Sequence, residues 1–317
     1  MWIWSTKKRS MLQRGQAVTT TSKSISFDPG LVIENALHSA LDRAMEGEDQ
    51  APPRLAAAMQ HAVFPGGARV RPRLCLAVGL ACGVKPAGLL TAAAVAIELL
   101  HCASLVHDDL PCFDDADTRR GQPSVHAAYG ERLAVLAGDA LIVHAFDVLG
   151  QVIVAAPARA ALLIRTVSSA VGMPGGICAG QAWECESAVD LSAYQRAKTG
   201  ALFVASAVAG AQAAGAETGP WKRFGERLGE AYQVADDLRD VASDAVELGK
   251  PVGRDVALDR PSAAREYGFG GAVRRFESLV ADAMGAIPNC PGAGALRGMV
   301  QLEARRLVPQ EWLKHAA

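Results

Sequence analysis

Long apolar segments rich in alanine and leucine recur along most of this chain, and they limit its fold more than any other feature. Leu31 to Ala44 (LVIENALHSALDRA) places apolar residues at 31, 32, 36, 37, 40, 41 and 44, the three-four spacing of an amphipathic helix. Further such segments run from Leu89 to Leu105, Leu133 to Val154, Ala160 to Val171, Leu202 to Ala214 and Phe224 to Val241. Alanine and leucine are strong helix formers, and few segments carry the β-branched alternation of a strand. Pro65-Gly66-Gly67, Pro111, Gly121-Gln122-Pro123, Pro174-Gly175-Gly176 and Pro288 to Gly294 mark the joints. Helices that are apolar nearly all round must be buried, so the expected fold is all-α, a large helical bundle with central helices inside.

No linker separates a second domain, and a single all-α domain is expected over residues 27–317. Gly249 to Gly271, rich in glycine, proline and charge, reads as a mobile loop. The first 26 residues carry five basic residues and no acid. No apolar stretch follows those charges, which argues against a secretory signal and for a disordered leader over 1–26.

Half of the residues are hydrophobic, which excludes a disordered chain. A net charge of −1 offers no basic field for nucleic acid. Seven scattered cysteines, an odd number, do not form a secreted disulfide framework. No uncharged apolar run reaches the roughly 18 residues that would span a bilayer. A cytoplasmic protein without stable membrane insertion is expected.

The acids fall in an unusual place. Leu100 to His107 is an apolar helical run that ends in Asp108-Asp109, and Asp114-Asp115 follow after Leu110-Pro111-Cys112-Phe113. Far downstream, Ala231 to Ala235 leads into Asp236-Asp237-Leu238-Arg239-Asp240. Asp236 and Asp240 share one helical face, where like charges repel. Partial burial would add several kcal/mol of desolvation per unpaired ion. A cation relieves both costs. A carboxylate-only donor set suits a hard divalent ion, best Mg²⁺, which favours sites that share substrate phosphates. Basic residues stand nearby in sequence: Arg69, Arg71 and Arg73 after a Gly66-Gly67 turn, Arg119-Arg120, Lys198, and Lys250 and Arg254 in the expected loop. Arginine suits bidentate phosphate contact and lysine supplies a point charge.

These strings resemble those of the trans-isoprenyl diphosphate synthase family, from Pro29 to the C-terminus. DDLPCFDD (Asp108 to Asp115) followed by ADTRRG, then GDAL (Gly138 to Leu141), GQAWE (Gly180 to Glu184), KTG (Lys198 to Gly200) and YQVADDLRD (Tyr232 to Asp240) occur in the family's order. The likeness is greatest to the bacterial geranylgeranyl diphosphate synthases of carotenoid and bacteriochlorophyll pathways. It implies an isoprenoid synthase bundle, usually a homodimer, acting on isopentenyl diphosphate and allylic diphosphates. By that resemblance Asp108, Asp114, Asp236 and Asp240 would hold up to three Mg²⁺, supported by Asp109 and Asp237. Arg119, Lys198 and Lys250 would clamp the allylic diphosphate, with Thr199 and Gln233 facing the developing cation. Arg71, His101 and Arg120 would hold isopentenyl diphosphate.

Catalysis of this kind is electrostatic, needing fixed positive charge around a departing diphosphate and an apolar cavity that excludes water. It requires no nucleophile, so Cys102 and Cys112 read as packing residues and His107 as a structural histidine. Two departures stand out: Ala68 replaces the family's usual lysine after the double glycine, with the neighbouring arginines expected to compensate, and Glu184 replaces a common aspartate. Ala103 and Ser104, one helical turn before Asp108, would face the growing hydrocarbon. An alanine there leaves the path open, so a C20 product is expected. The rival readings are a farnesyl diphosphate synthase and a non-catalytic regulatory subunit.

Overall fold

The computed structural model describes residues 28–46, 51–64, 66–188, 190–242 and 263–309. The leader over 1–26 and most of the expected loop, Lys250 and Arg254 included, lie outside the described residues.

The described chain is helical almost throughout. Asp28 caps α1 (Pro29–Met45), its carboxylate accepting from Gly30 N–H at 2.8 Å, as N-cap aspartates do. Then follow α2 (Pro53–Val63), α3 (Val70–Ala81), α4 (Leu89–Asp108), α5 (Val125–Tyr129), α6 (Glu131–Gly150) and α7 (Pro157–Val171). A short α8 (Ile177–Ala182), a 3₁₀ turn, α9 (Leu191–Gln195) and a π turn (Arg196–Gly200) lead into α10 (Ala201–Ala214). Three long helices complete the bundle: α11 (Gly219–Ala242), α12 (Ala263–Ala286) and α13 (Ala293–Leu307). One hairpin, β1 (Thr118–Arg119) paired antiparallel with β2 (Gln122–Pro123), interrupts the pattern.

Two apolar clusters share α3 and α10 as their common wall. Leu76, Leu99, Leu141 and Leu202 belong to one, which is built on α4 and α6. Leu74, Phe203, Trp221 and Phe224 belong to the other, built on α11, α12 and α13. Alternate faces of α10 thus serve the two halves, which is why that helix is apolar all round. α4 and α6 are long and apolar enough to cross a membrane by length and composition, but 72% and 44% of their most apolar windows are buried inside the fold.

One expectation is overturned. The expected loop extended to Gly271, yet α12 begins at Ala263. Gly268, at φ +68° and ψ 164°, is not helical and breaks this span into two helical pieces that meet at a kink, a conformation open to glycine at no steric cost.

Candidate active site

The first acidic string closes α4. Asp108 is the last helical residue and Asp109 the C-cap, a position where the helix dipole disfavours carboxylates. The following loop folds back: Asp114 N–H donates to Asp108 O at 2.9 Å and Ala116 N–H to Asp109 O at 3.1 Å. Asp114 therefore returns beside Asp108, whose carboxyl is pushed up by burial and by that neighbour against the pull of Lys198. Asp108 Oδ1 is buried and makes no hydrogen bond among the described residues.

Asp109 faces the other way. It is 2% exposed and grips Arg119, whose Nε donates to both carboxylate oxygens at 2.9 and 3.2 Å and whose Nη2 also reaches Oδ1. Burial raises the Asp109 carboxyl, opposed by those arginine bonds. The hairpin supplies Arg119. Its two-residue turn, Arg120-Gly121, has φ of +55° and +73°, the doubly positive pair of the tight turns that match strand twist.

Arg120 is thereby laid against the double glycine. A Cβ on Gly67 would come within 2.9 Å of Arg120 Nε, and one on Gly66 would collide with Arg69 at 2.1 Å. Arg69, at φ +50°, is buried. It donates to Glu34 at 2.8 Å, to Glu98 at 2.7 Å and to Val63 O at 2.8 Å. Burial opposes its charge, but Glu34 and Glu98 more than restore it. Its guanidinium is committed, so Arg69 does not compensate for Ala68, which is exposed on the loop.

Arg71 lies between α4 and α10. Its Nη1 lies 3.2 Å from His101 Nε2, and its guanidinium sits 4.9 Å above the Phe203 ring. Burial lowers its pKa, while Glu98 and Asp236 pull it back. His101 is held well below its ordinary value, by burial first and then by Arg71, Arg120 and Arg119. It is neutral at pH 7, and Nε2 can accept from Arg71.

The turn of residues 196–200 links the two acidic strings. Lys198 Nζ is 3.6 Å from Asp108 Oδ1 and pairs with Glu184, which also accepts from Tyr194 Oη at 2.7 Å. Next along, Thr199 Oγ1 donates to Gln233 Oε1 at 2.7 Å, and Gln233 Nε2 donates to Asp237 Oδ1 at 2.9 Å. Asp237 is 3% exposed, so the second acid of each string is turned inward to hold a polar side chain. Asp236 is exposed and Asp240 lies one helical turn on. A cavity of about 1070 Å³ opens beside Gln233 and Asp237, with Ala170, Val204 and Val208 in its walls. Ala103, 1% exposed, and Ser104, whose hydroxyl bonds back to His101 O, lie on α4 outside those walls.

His107 packs on Gly138, where a Cβ would meet its ring at 2.1 Å, and sits 3.7 Å from Asp139. That contact gives the GDAL string a packing role. Burial pushes the Cys102 thiol up to about 12, leaving it inert, while Cys112 is exposed. Glu34, Glu98 and Glu184 were not anticipated as holders of site arginines and lysine. Glu98 alone carried a signal, as the single acid inside the apolar run from Leu89 to His107.

The described residues thus group Lys198 with Asp108 and Glu184, Arg119 with Asp109, and Arg71 with His101. Known proteins show what the chain as a whole is similar to. The geranylgeranyl diphosphate synthase of Cereibacter sphaeroides is 54% identical over 88% of this chain and 96% of its own length. That of Rhodobacter capsulatus is 53% identical over 87% and 95%. A geranyltransferase from Helicobacter pylori, crystallised with magnesium and isoprenyl diphosphate, superposes with a TM-score of 0.74 at 28% identity, covering 89% of this chain and 99% of that one. The family described as polyprenyl synthetase matches residues 52–274, and the chain belongs to that family.

Proposed function

We propose that this protein condenses isopentenyl diphosphate with allylic diphosphates of C5 to C15 to make geranylgeranyl diphosphate. The observation that carries this reading is the Lys198-Thr199 turn, which touches Asp108 on one side and, through Gln233, Asp237 on the other. Two relatives bearing that activity's name match nearly their whole length.

Among the described residues no group of three His, Cys, Asp or Glu side chains is placed to hold a metal alone. An ion completed by phosphate oxygens and water fits such a site, as Mg²⁺ does. The all-carboxylate donors and the buried, unbonded Asp108 Oδ1 suit it too. Asp108, Asp114, Asp236 and Asp240 would hold up to three Mg²⁺, whose charge would offset that growing on the leaving diphosphate. Asp109 and Asp237 support the site from behind, through Arg119 and Gln233.

Arg119 and Lys198, with Lys250 outside the described residues, clamp the allylic diphosphate as its C–O bond breaks. Thr199 and Gln233 turn oxygens toward the allylic cation. Arg71, His101 and Arg120 hold isopentenyl diphosphate so that its double bond attacks, and the proton then lost passes to the released diphosphate. Ala103 and Ser104 leave the product path open. The two clusters joined through α3 and α10 support one domain over 27–317. Val135, Leu136 and Val143 make an exposed apolar stripe on α6, a face that a second copy would cover in a homodimer. The bacterial relatives matched over nearly their whole length support a cytoplasmic enzyme.

The test is purified protein with Mg²⁺, isopentenyl diphosphate and each allylic starter, followed by chromatography of the dephosphorylated products. A C20 alcohol is expected. A C15 product would make it a farnesyl diphosphate synthase, and no product a non-catalytic subunit.

A further inference from the structure

Arg239 is the single basic residue in the second acidic string, and the roles above leave it unused. Its Nε and Nη2 donate to the main-chain oxygens of Leu307 and Arg306, both at 3.2 Å. Those are among the last carbonyls of α13, which have no partner within their own helix. Seven residues earlier, on the same face of α11, Tyr232 donates its hydroxyl to Glu303 Oε1 at 2.9 Å. Two polar contacts about two turns apart therefore pin α13 to α11.

The chain of contacts continues inward. The Tyr232 ring lies against Phe203, centroids 4.5 Å apart, and the Arg71 guanidinium sits on that same phenyl ring. Arg71 Nε is buried and makes no hydrogen bond among the described residues. The phenyl ring and His101 are the guanidinium's near contacts, while Glu98 and Asp236 attract its charge. A shift of the ring moves the charge offered to the ligand.

We propose that Arg239 is a positioning residue for the isopentenyl diphosphate subsite. By capping α13 it keeps Glu303 against Tyr232, and Tyr232 and Phe203 in turn fix the aim of Arg71. Loss of the cap lets the end of α13 move, removes the acceptor of a buried phenol and frees the aromatic pair to tilt. The contacts given above for Lys198 and Arg119 do not run through Arg239, Glu303, Tyr232 or Phe203. The inference rests on the prenyltransferase reading above and adds a residue that touches neither substrate.

Steady-state kinetics of the full chain with Mg²⁺, varying one substrate while the other saturates, tests it. Arg239→Leu is expected to raise KM for isopentenyl diphosphate about three- to tenfold, with kcat and the allylic KM within about twofold. Tyr232→Phe should act in the same direction, and the double variant should be no worse than the more severe single one, since both act through one contact. Arg239→Lys, which retains a donor, should recover part of the loss and carries the test together with Tyr232→Phe if Arg239→Leu does not fold. Equal rises in both KM values, or an unchanged isopentenyl diphosphate KM, would overturn the proposal. Arg71→Gln separates the two layers. Should it leave that KM unchanged, the reading of the subsite fails; should it alone raise the KM, only the role of Arg239 fails.

Discussion

Lys198 Nζ stands 3.6 Å from Asp108 Oδ1 while paired with Glu184, so one ammonium is shared between the end of α4 and the 3₁₀ turn that follows α8. Asp108→Asn preserves the shape and deletes the charge. Turnover is expected to fall at least about a hundredfold, the scale for losing one preorganised electrostatic contact, and Asp236→Asn should do the same. Product formation at saturating Mg²⁺, with helix content checked by circular dichroism, measures both. Full turnover in either variant would sink the metal assignment.

Asp109 should behave differently from its neighbour. It is buried and holds Arg119, so Asp109→Ala leaves a charged guanidinium without its partner. A loss of about 3–5 kcal/mol in stability is expected, as for breaking other buried pairs. Denaturant unfolding reads it out. The Mg²⁺ concentration for half-maximal activity should shift much less than in Asp108→Asn; an equal shift would make Asp109 a direct ligand.

Gly180 carries a prediction about backbone contact. A Cβ there would lie 2.4 Å from Lys198 N and 2.5 Å from Lys198 Cα. Main chain cannot rotate away as a side-chain tip can, so Gly180→Ala must push the turn of Lys198 and Thr199 outward. About 1–3 kcal/mol of overpacking is expected, together with a higher KM for the allylic diphosphate. An alanine variant with parental stability and KM would show that the turn is slack.

What could be read along the chain follows from the range of the interactions involved. α4, α6 and α10 are legible because each is a long segment dominated by apolar helix formers, chiefly Ala and Leu. α3 is hard to read in the sequence because Arg71, Pro72 and Arg73 break its apolar rhythm; Pro72 is tolerated because it lies in the first turn. The helical turns on either side of residue 268 are hard to read because Gly268, Gly270 and Gly271 are poor helix formers. Both acidic strings are visible as spacing, whereas the inward turn of Asp109 and Asp237 depends on a hairpin and a glutamine brought in by folding. Glu34 meets Arg69 across 35 residues, and no local pattern encodes that meeting.

His101 gives a pH dependence. Its imidazole is depressed in the folded protein but titrates near 6.5 when unfolded. Below about 6.5 the unfolded chain takes up a proton that the native state refuses, so stability falls with falling pH, by up to about 1.4 kcal/mol per unit. His101→Gln removes that uptake. Unfolding free energies at pH 7 and 5 should therefore drop more steeply in the parent than in the variant. Parallel slopes would mean that His101 protonates freely in the fold.

Ala103 tests product length. It is 1% exposed on α4, five residues before Asp108, and its methyl group is the smallest obstacle a side chain can offer beside Ser104. Ala103→Tyr adds a ring on the face pointing one turn back from the carboxylates, where a hydrocarbon longer than the C15 starter would have to pass. The expected outcome is a shift from C20 to C15 product. Overpacking costs about 1–3 kcal/mol, so the smaller Ala103→Leu accompanies it to separate a blocked path from a damaged fold. A product distribution equal to the parent's, in a variant that unfolds at the parent's temperature, would leave Ala103 no part in setting chain length.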